Sequence, residues 1–338
     1  MALRSEIDDI VGRSLRPDTR TWVRHVLLMA ATLVTTTVAG TLYPFGPVPI
    51  LPDVDPQNFT ELIQFLFALP VKYFLLVAST VGIILSDSTY LYHGLSFSIP
   101  LLLILVSHEM GHYIACRVYR VDATLPFFIP TPPLVGPAGT FGAFIKIRSP
   151  MPSRRAVFDI GVAGPLAGFV MVIPVALIAV LTMEQVPFKS VLASGAITFS
   201  DPLLFHLIAS VAGVELDLFI HNGFYYAAWV GLLVTALNLI PSGQLDGGHT
   251  IFAVFGERFH RWAGRIAFVV MAVLSVFGWI YFNSPSGFLI AVLLGVMMMM
   301  RHPAPWDQTP IGRQRTMIAV VTLVVFVLCF LPFPVRIS

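Results

Sequence analysis

The chain has 338 residues, 57% of them hydrophobic and only 11% charged, with a formal net charge of +2 at pH 7. That composition excludes an ordinary water-soluble domain, in which about a quarter of the residues are charged, and fits a polytopic membrane protein. No basic, aromatic-interleaved stretch points to nucleic acid, and the two cysteines, Cys116 and Cys329, lie in apolar runs, so no disulfide framework is expected.

In chain order, residues 1–24 are polar, with Arg4, Arg13, Arg16, Arg20 and Arg24, and lack the pattern of a cleaved signal peptide. His25 to Tyr43 is about nineteen mostly apolar residues, enough for a helix to cross roughly 30 Å of hydrocarbon. Pro44, Pro47, Pro49 and Pro52 end it. Val71 to Leu85 is apolar over only about fifteen residues, short of the usual span. Leu95 to Cys116 is the next apolar run.

Near its end, Ser107 to His112 reads Ser-His-Glu-Met-Gly-His. On a helix, His108 and His112 stand four residues apart on one face, where both imidazoles can reach one tetrahedral Zn²⁺, with Glu109 beside the open coordination position. Zinc lowers the pKa of its bound water to about 7, and the Glu can take the water's proton as it attacks a carbonyl, then return it to the leaving amine. With nine His and six Glu in the chain, residue frequencies give roughly 0.004 chance matches to this pattern. An ionisable side chain in a membrane helix also costs about 2.5 kcal/mol or more, so this triplet needs a function to keep it there.

Asp122 to Pro152 is rich in turn residues: Pro126, Pro130, Pro132, Pro133, Pro137, Gly136, Gly139 and Gly142. The alternation of Phe144-Ile145-Lys146-Ile147-Arg148 is a strand signal. A hairpin over Leu125 to Arg148 is expected, and its edge could pair with an extended peptide. Asp159 to Leu181 reads as a further span whose opening, Gly161-Val162-Ala163-Gly164-Pro165-Leu166-Ala167-Gly168, admits a neighbouring helix closely; Asp159 stands where it could cap that helix. Met183 to Gly223 reads as a mixed connection of about forty residues, with Glu184, Asp201, Glu215 and Asp217, too short for a separate domain. Tyr225 to Ile240 is apolar, and Trp262 to Phe282, Gly287 to Met300 and Thr316 to Leu331 read as three more spans.

Two histidines leave a catalytic zinc one protein ligand short of three. Asp246 is the only carboxylate between Phe219 and Phe255, and the surrounding glycines let the backbone turn it toward a partner helix; its other possible use is as a helix N-cap. Cys116, four residues after His112, is an alternative ligand. His249 is either a spare ligand or a proton-carrying group behind the ligands.

His108-Glu109-Met110-Gly111-His112 on one membrane helix, with Asn238 through Gly247 ending Leu-Asp-Gly on a later one, together resemble the site-2 proteases, the intramembrane zinc metalloproteases. Gly139-Thr140-Phe141-Gly142-Ala143, Arg148-Ser149-Pro150, Asp159 through Gly168 and Arg301-His302-Pro303 resemble the bacterial and plastid branch of that family. The likeness covers about Leu95 to Arg315. It implies Zn²⁺ held by His108, His112 and Asp246, Glu109 as general base, and Asn238 near the substrate or the developing oxyanion. This chain has Leu239 after that Asn, where many relatives have Pro, and two extra residues before Leu245.

The expectation is an all-α polytopic membrane protein of about seven transmembrane helices, with a small membrane-associated β-hairpin after the metal-binding helix. Its activity would be zinc-dependent hydrolysis of a peptide bond in a locally unwound transmembrane segment of a membrane protein, as in regulated proteolysis, within a bacterial inner membrane. Gly139, Gly142, Ala143, Phe144 and Ile145 would hold the unwound strand. Residues 1–24 would form a cytoplasmic tail, 25–94 the first span with an extracytoplasmic or re-entrant segment, 95–254 the protease core and 255–338 the C-terminal spans. Arginines place the N-terminus and the end of the metal helix on the cytoplasmic side. An even number of crossings then lies between them, so Val71 to Leu85 is expected not to cross. The rival readings are a metal transporter, which leaves Glu109 without a task, and a proteolytically inactive binder of membrane segments. Expected partners are a transmembrane substrate and the bilayer.

Overall fold

The computed structural model describes residues 18–50, 57–185, 197–216, 219–299 and 305–337. Most of the N-terminal tail, Asp217, Met300 and Arg301-His302-Pro303 lie outside the described residues. Asp18 starts α1 (Thr19–Thr41) by accepting the Thr21 N–H at 2.8 Å. α2 (Phe59–Ser86) opens on a reciprocal cap: Asn58 accepts the Glu61 N–H at 2.9 Å, and Glu61 accepts the Gln57 N–H at 2.8 Å. This corrects the short segment counted from Val71. The cap sets the start twelve residues earlier and Pro70 is carried inside, giving a helix of 28 residues, about 42 Å long.

After Asp87 comes α3 (Ser88–Val118), which carries the metal motif. β1 (Phe127–Pro130) and β2 (Thr140–Phe144) form an antiparallel hairpin with Phe127 opposite Phe144 and Phe128 opposite Ala143. β2 lies earlier than the alternation over Phe144 to Arg148 suggested. Those residues prolong it irregularly: the Thr124 N–H donates to Lys146 O at 3.0 Å, and the Arg148 N–H to Asp122 O at 2.8 Å. β1 lies along α1 and β2 along α3.

α4 (Arg154–Thr182) is capped by Ser153, not by Asp159, which stands within the helix. The connection that follows is more ordered than expected. It holds β3 (Glu184–Gln185), β4 (Ile197–Phe199), α5 (Leu203–Ala212) and β5 (Phe219–Ile220), and Phe205 and Ala209 of α5 are buried in the main core. Ten apolar residues are too few to read as a span, which hides such a helix in the sequence. α6 (Gly223–Leu239) and α7 (Asp246–Phe255) are one apolar path interrupted at residues 240–245; α8 (Glu257–Phe282), α9 (Ser286–Met299), α10 (Arg313–Cys329) and β6 (Val335–Ile337) complete the chain. β6 pairs with β4, and β5 with β3.

Among the described residues, five helices, α1, α2, α3, α4 and α8, are long and apolar enough to cross a membrane. The protein is a mostly helical integral membrane protein with a small hairpin. At its centre α3, α4 and α6 bury Phe97, Leu101, Ile104, Val172, Ala176, Leu232 and Ala236 against one another. The helix ends gather into two groups. At one end, Arg154 donates to Ala253 O at 2.8 Å and Arg315 binds Asp159 at 2.7 Å. At the other, Tyr43 OH accepts the Ile197 N–H at 2.7 Å, His93 Nε2 donates to Phe45 O at 3.1 Å, and the Ile337 N–H donates to Asn283 O at 3.1 Å.

Candidate metal centre

His108, Glu109 and His112 are buried on successive turns of α3. They face α4, whose small residues bring its backbone unusually near. A Cβ at Gly164 would lie 2.1 Å from His112 Nε2, and one at Gly168 would lie 3.2 Å from His108 Cβ. Contact at this range needs glycine, and it has a chemical use. Ile160 O stands 2.7 Å from His112 Nδ1; accepting that N–H fixes the tautomer that leaves the Nε2 lone pair free.

The third group arrives from the interrupted path. α6 starts where Asn222 accepts the Tyr225 N–H at 2.9 Å and, after 17 residues, about 26 Å, reaches the level of His108. There Asn238 Nδ2 is 3.4 Å from His108 Nε2. Irregular backbone inside a membrane protein is tolerated where protein surrounds it. Ile240 and Ser242 are accordingly buried, and His260 Nε2 donates to Gly243 O at 3.0 Å. α7 then begins with Asp246 itself. Its side chain does not serve as the N-cap, since Leu245 occupies that position. Gly247 permits the turn, because a Cβ there would sit 2.0 Å from Leu239 O.

His108 Nε2 and His112 Nε2 are 3.2 Å apart, and Asp246 Oδ2 lies 3.4 Å from the first and 3.3 Å from the second. A tetrahedral ion with bonds of about 2.0–2.1 Å has ligand-to-ligand edges of about 3.3–3.4 Å. The three atoms therefore match one face of such a tetrahedron, and two imidazole nitrogens with a carboxylate oxygen form a donor set that suits zinc. Glu109 Oε1 is 3.9 Å from His108 Nε2, and the Ile145 backbone lies beside the Glu109 carboxylate. The hairpin's continuation thus borders the centre.

Other residues singled out in the sequence fall elsewhere. Among the described residues, the group whose ligand atoms converge, within 4.8 Å, is His108, His112 and Asp246. Cys116 packs with Val121 and Phe158 in an apolar cluster, and His249 Cβ faces Gly161. Asp159 is held by Arg315, with Oδ1 at 2.8 Å from Nε and Oδ2 at 2.7 Å from Nη2, and it also accepts from Tyr119 OH. Gly139 is turned to α1, where Thr35 Oγ1 donates to its carbonyl at 2.8 Å, while Gly142, at φ +97°, has open space beside it. Ala143 is buried and Phe144 exposed. The Ile160 carbonyl was missed as part of this site, while Gly247 plays the turning role expected of the glycines around Asp246. The glycine spacing on α4 signalled a close neighbour without saying that the neighbour was His112.

The profile of Peptidase family M50 matches residues 96–280, more than half of the chain. The chain belongs to that family, the one the two motifs resembled. The match takes in every residue of the centre. Among curated relatives, "Probable zinc metalloprotease EGY1, chloroplastic" of Arabidopsis thaliana is 28% identical over 255 residues, covering 73% of this chain and 45% of that protein. The rice (Oryza sativa subsp. japonica) protein of the same name is 34% identical over 156 residues, 44% of this chain and 26% of that protein. "Probable zinc metalloprotease EGY2, chloroplastic" of Oryza sativa subsp. indica is 26% identical over 240 residues, 67% of this chain and 40% of that protein. This chain spans under half the length of each of these M50 relatives.

Proposed function

We propose that this M50 member is a zinc-dependent intramembrane endopeptidase that hydrolyses a peptide bond in a locally unwound transmembrane segment. The observation that carries the reading is the triangle of two imidazole nitrogens and one carboxylate oxygen at tetrahedral spacing, with Glu109 beside it inside membrane helices. The relatives' names, probable zinc metalloproteases, support it. When bound by His108, His112 and Asp246, zinc supplies a Lewis acid that activates water and polarises the scissile carbonyl. Glu109 accepts the proton of the attacking water and delivers it to the leaving amine. Ile160 keeps His112 in the required tautomer. Asn238, whose Nδ2 lies 3.4 Å from His108 Nε2, would be the side-chain donor offered to the developing oxyanion. A substrate helix hides its amides in its own hydrogen bonds and must unwind first. The unwound strand then lies along β2 and its continuation through Ile147.

The same reading gives seven crossings: α1, α3, α4, α6 continued by α7, α8, α9 and α10, with the arginine-bearing end cytoplasmic. The closeness of the end of α1 to the start of α3, through His93 and Phe45, supports a reading in which α2, though long and apolar enough to span, makes no net crossing. Residues 95–254 are the protease core, and 25–94 and 255–338 flank it. Cysteines introduced at Thr60 and Ser88 should then be labelled from one side, opposite Arg24; labelling from different sides would remove this topology. The bacterial inner membrane expected from the sequence gains no support from relatives named chloroplastic.

Glu109→Gln keeps the shape of the site and removes its base. Cleavage of a reconstituted membrane substrate should fall by about 10²–10⁴-fold, while one zinc per chain is retained. Undiminished cleavage would overturn the mechanism. Zinc transport that survives the substitution, with no cleavage by the unaltered chain, would favour an ion carrier.

A further inference from the structure

We infer that Arg258, Arg261, Trp262 and Arg265, in the first turns of α8, form a site for the phosphate headgroup of an anionic membrane lipid. These four side chains line a cleft of about 200 Å³. The Arg265 guanidinium lies 5.4 Å over the Trp262 ring, a contact that orients an otherwise free side chain. One negative charge is near, Glu257, whose Oε1 is 4.0 Å from Arg261 Nε, with both side chains well exposed. Among the described residues, no carboxylate lies within ion-pair distance of Arg258 or Arg265. The cleft therefore concentrates positive charge beyond what the protein neutralises. A phosphate diester offers the matching acceptors for guanidinium groups.

The choice of a lipid over a soluble phosphate rests on what continues below the cleft. Positions 258, 261, 262 and 265 share one helix face and span about 10 Å along the axis, roughly the depth of a headgroup layer. On the same face the next turns expose Val269, Val273 and Val276, at 57%, 63% and 51%, in a helix long and apolar enough to cross the membrane. Cations above an exposed apolar stripe fit a head and its acyl chain; a free anion has no use for the stripe. These arginines lie at the same end of the molecule as Arg154 and Arg315, the end assigned to the cytoplasm, where anionic lipid attracts basic groups. The opposite face of α8 braces the loop before Asp246, through His260 to Gly243 O, and Gly264 stands close enough to Ser242 that an added Cβ would lie 3.4 Å from its Oγ. A bound headgroup would thus fix the depth of the helix that steadies the metal-ligand loop.

The test uses the full chain in nanodiscs made of dioleoyl phosphatidylcholine with a minority of dioleoyl phosphatidylglycerol, with retained lipid counted by native mass spectrometry. Phosphatidylglycerol should be enriched over its bulk fraction. The triple variant Arg258→Gln, Arg261→Gln, Arg265→Gln should lose at least about tenfold of that preference, since each surface arginine contributes roughly fivefold. Arg336→Gln, at the other end of the molecule, should leave it unchanged. Equal enrichment in the triple variant overturns the site, and so does displacement of the lipid by inorganic phosphate, which would mark a soluble-anion site. All four residues are exposed, so the variant should fold, and unchanged zinc content would verify that. No readout involves proteolysis, so failure here is separate from failure of the peptidase reading.

Discussion

His108 and His112 ride on α3, which runs unbroken past the centre, whereas Asp246 begins α7 after α6 has stopped at Leu239. The two halves locate their ligands in different ways. On the continuous helix the separation of the imidazoles follows from helical pitch alone, and packing against α4 only fixes their rotation and tautomer. On the broken path nothing local aims the carboxylate. Its position depends on how residues 240–245 fold back, and so on the contacts of Gly247 with Leu239 O and of His260 with Gly243 O. One half is set by geometry within an element, the other by tertiary contacts that single substitutions can undo.

Alanine at the glycine serving each half breaks this comparison in different ways. Gly164→Ala places a methyl 2.1 Å from the His112 ligand atom itself. Either the imidazole swings away or α4 retreats, and zinc content and cleavage should both be lost, with the larger share of the effect on metal. Gly247→Ala meets a backbone carbonyl at 2.0 Å, which cannot rotate aside. It should cost about 1–3 kcal/mol of stability, the usual range for overpacking, and weaken zinc as a consequence. Zinc titration and thermal unfolding of the two variants separate these outcomes; Gly247→Ala with normal stability and metal would show that the turn is not held by this contact.

Asp246→Asn tests the aimed half directly. The amide preserves volume and removes the charge, so zinc affinity should fall by more than the 10–100-fold typical of losing only an outer partner, while the helices stay folded. Retention at the original affinity would pass the third place to His249 or Cys116.

The same contrast explains what could be read from the sequence. The spacing of His108, Glu109 and His112 is also their geometry, so a local rule found them. Asp246 was legible because a lone carboxylate in an apolar stretch has few other uses. Ile160 O as the partner of His112 and Arg315 as the partner of Asp159, 156 positions away, were not, since helix packing decides them. α2 was misjudged because the apolar count ignored a polar cap that starts the helix early and a proline it tolerates. The hairpin was foreseen as a type of element, but its strand begins at Thr140, before the alternating residues. Alternation marks faces, whereas pairing with Phe127 to Pro130 sets the register.

The smallest expected effect lies at that hairpin, which joins the centre from outside both halves. Lys146 and Arg148 turn their backbone groups inward to residues 122–124: the Lys146 N–H donates to Thr124 Oγ1 at 2.9 Å, Lys146 O accepts from Thr124, and the Arg148 N–H donates to Asp122 O. By the alternation of a strand, the N–H groups of Ile145 and Ile147 point the other way. The first lies beside Glu109, and on the proposed reading the second would pair with an extended substrate. Ile147→Pro therefore removes one outward donor without breaking the hairpin's own bonds or touching Glu109. A single backbone hydrogen bond is worth about 0.5–1.5 kcal/mol, so cleavage should drop roughly two- to tenfold with zinc content unchanged. Ile145→Pro alters the backbone beside Glu109 and should cost more, with the added loss in kcat rather than KM. If both variants cleave like the unaltered chain, the strand edge has no part in holding substrate, and the unwound segment must be gripped by the helices alone.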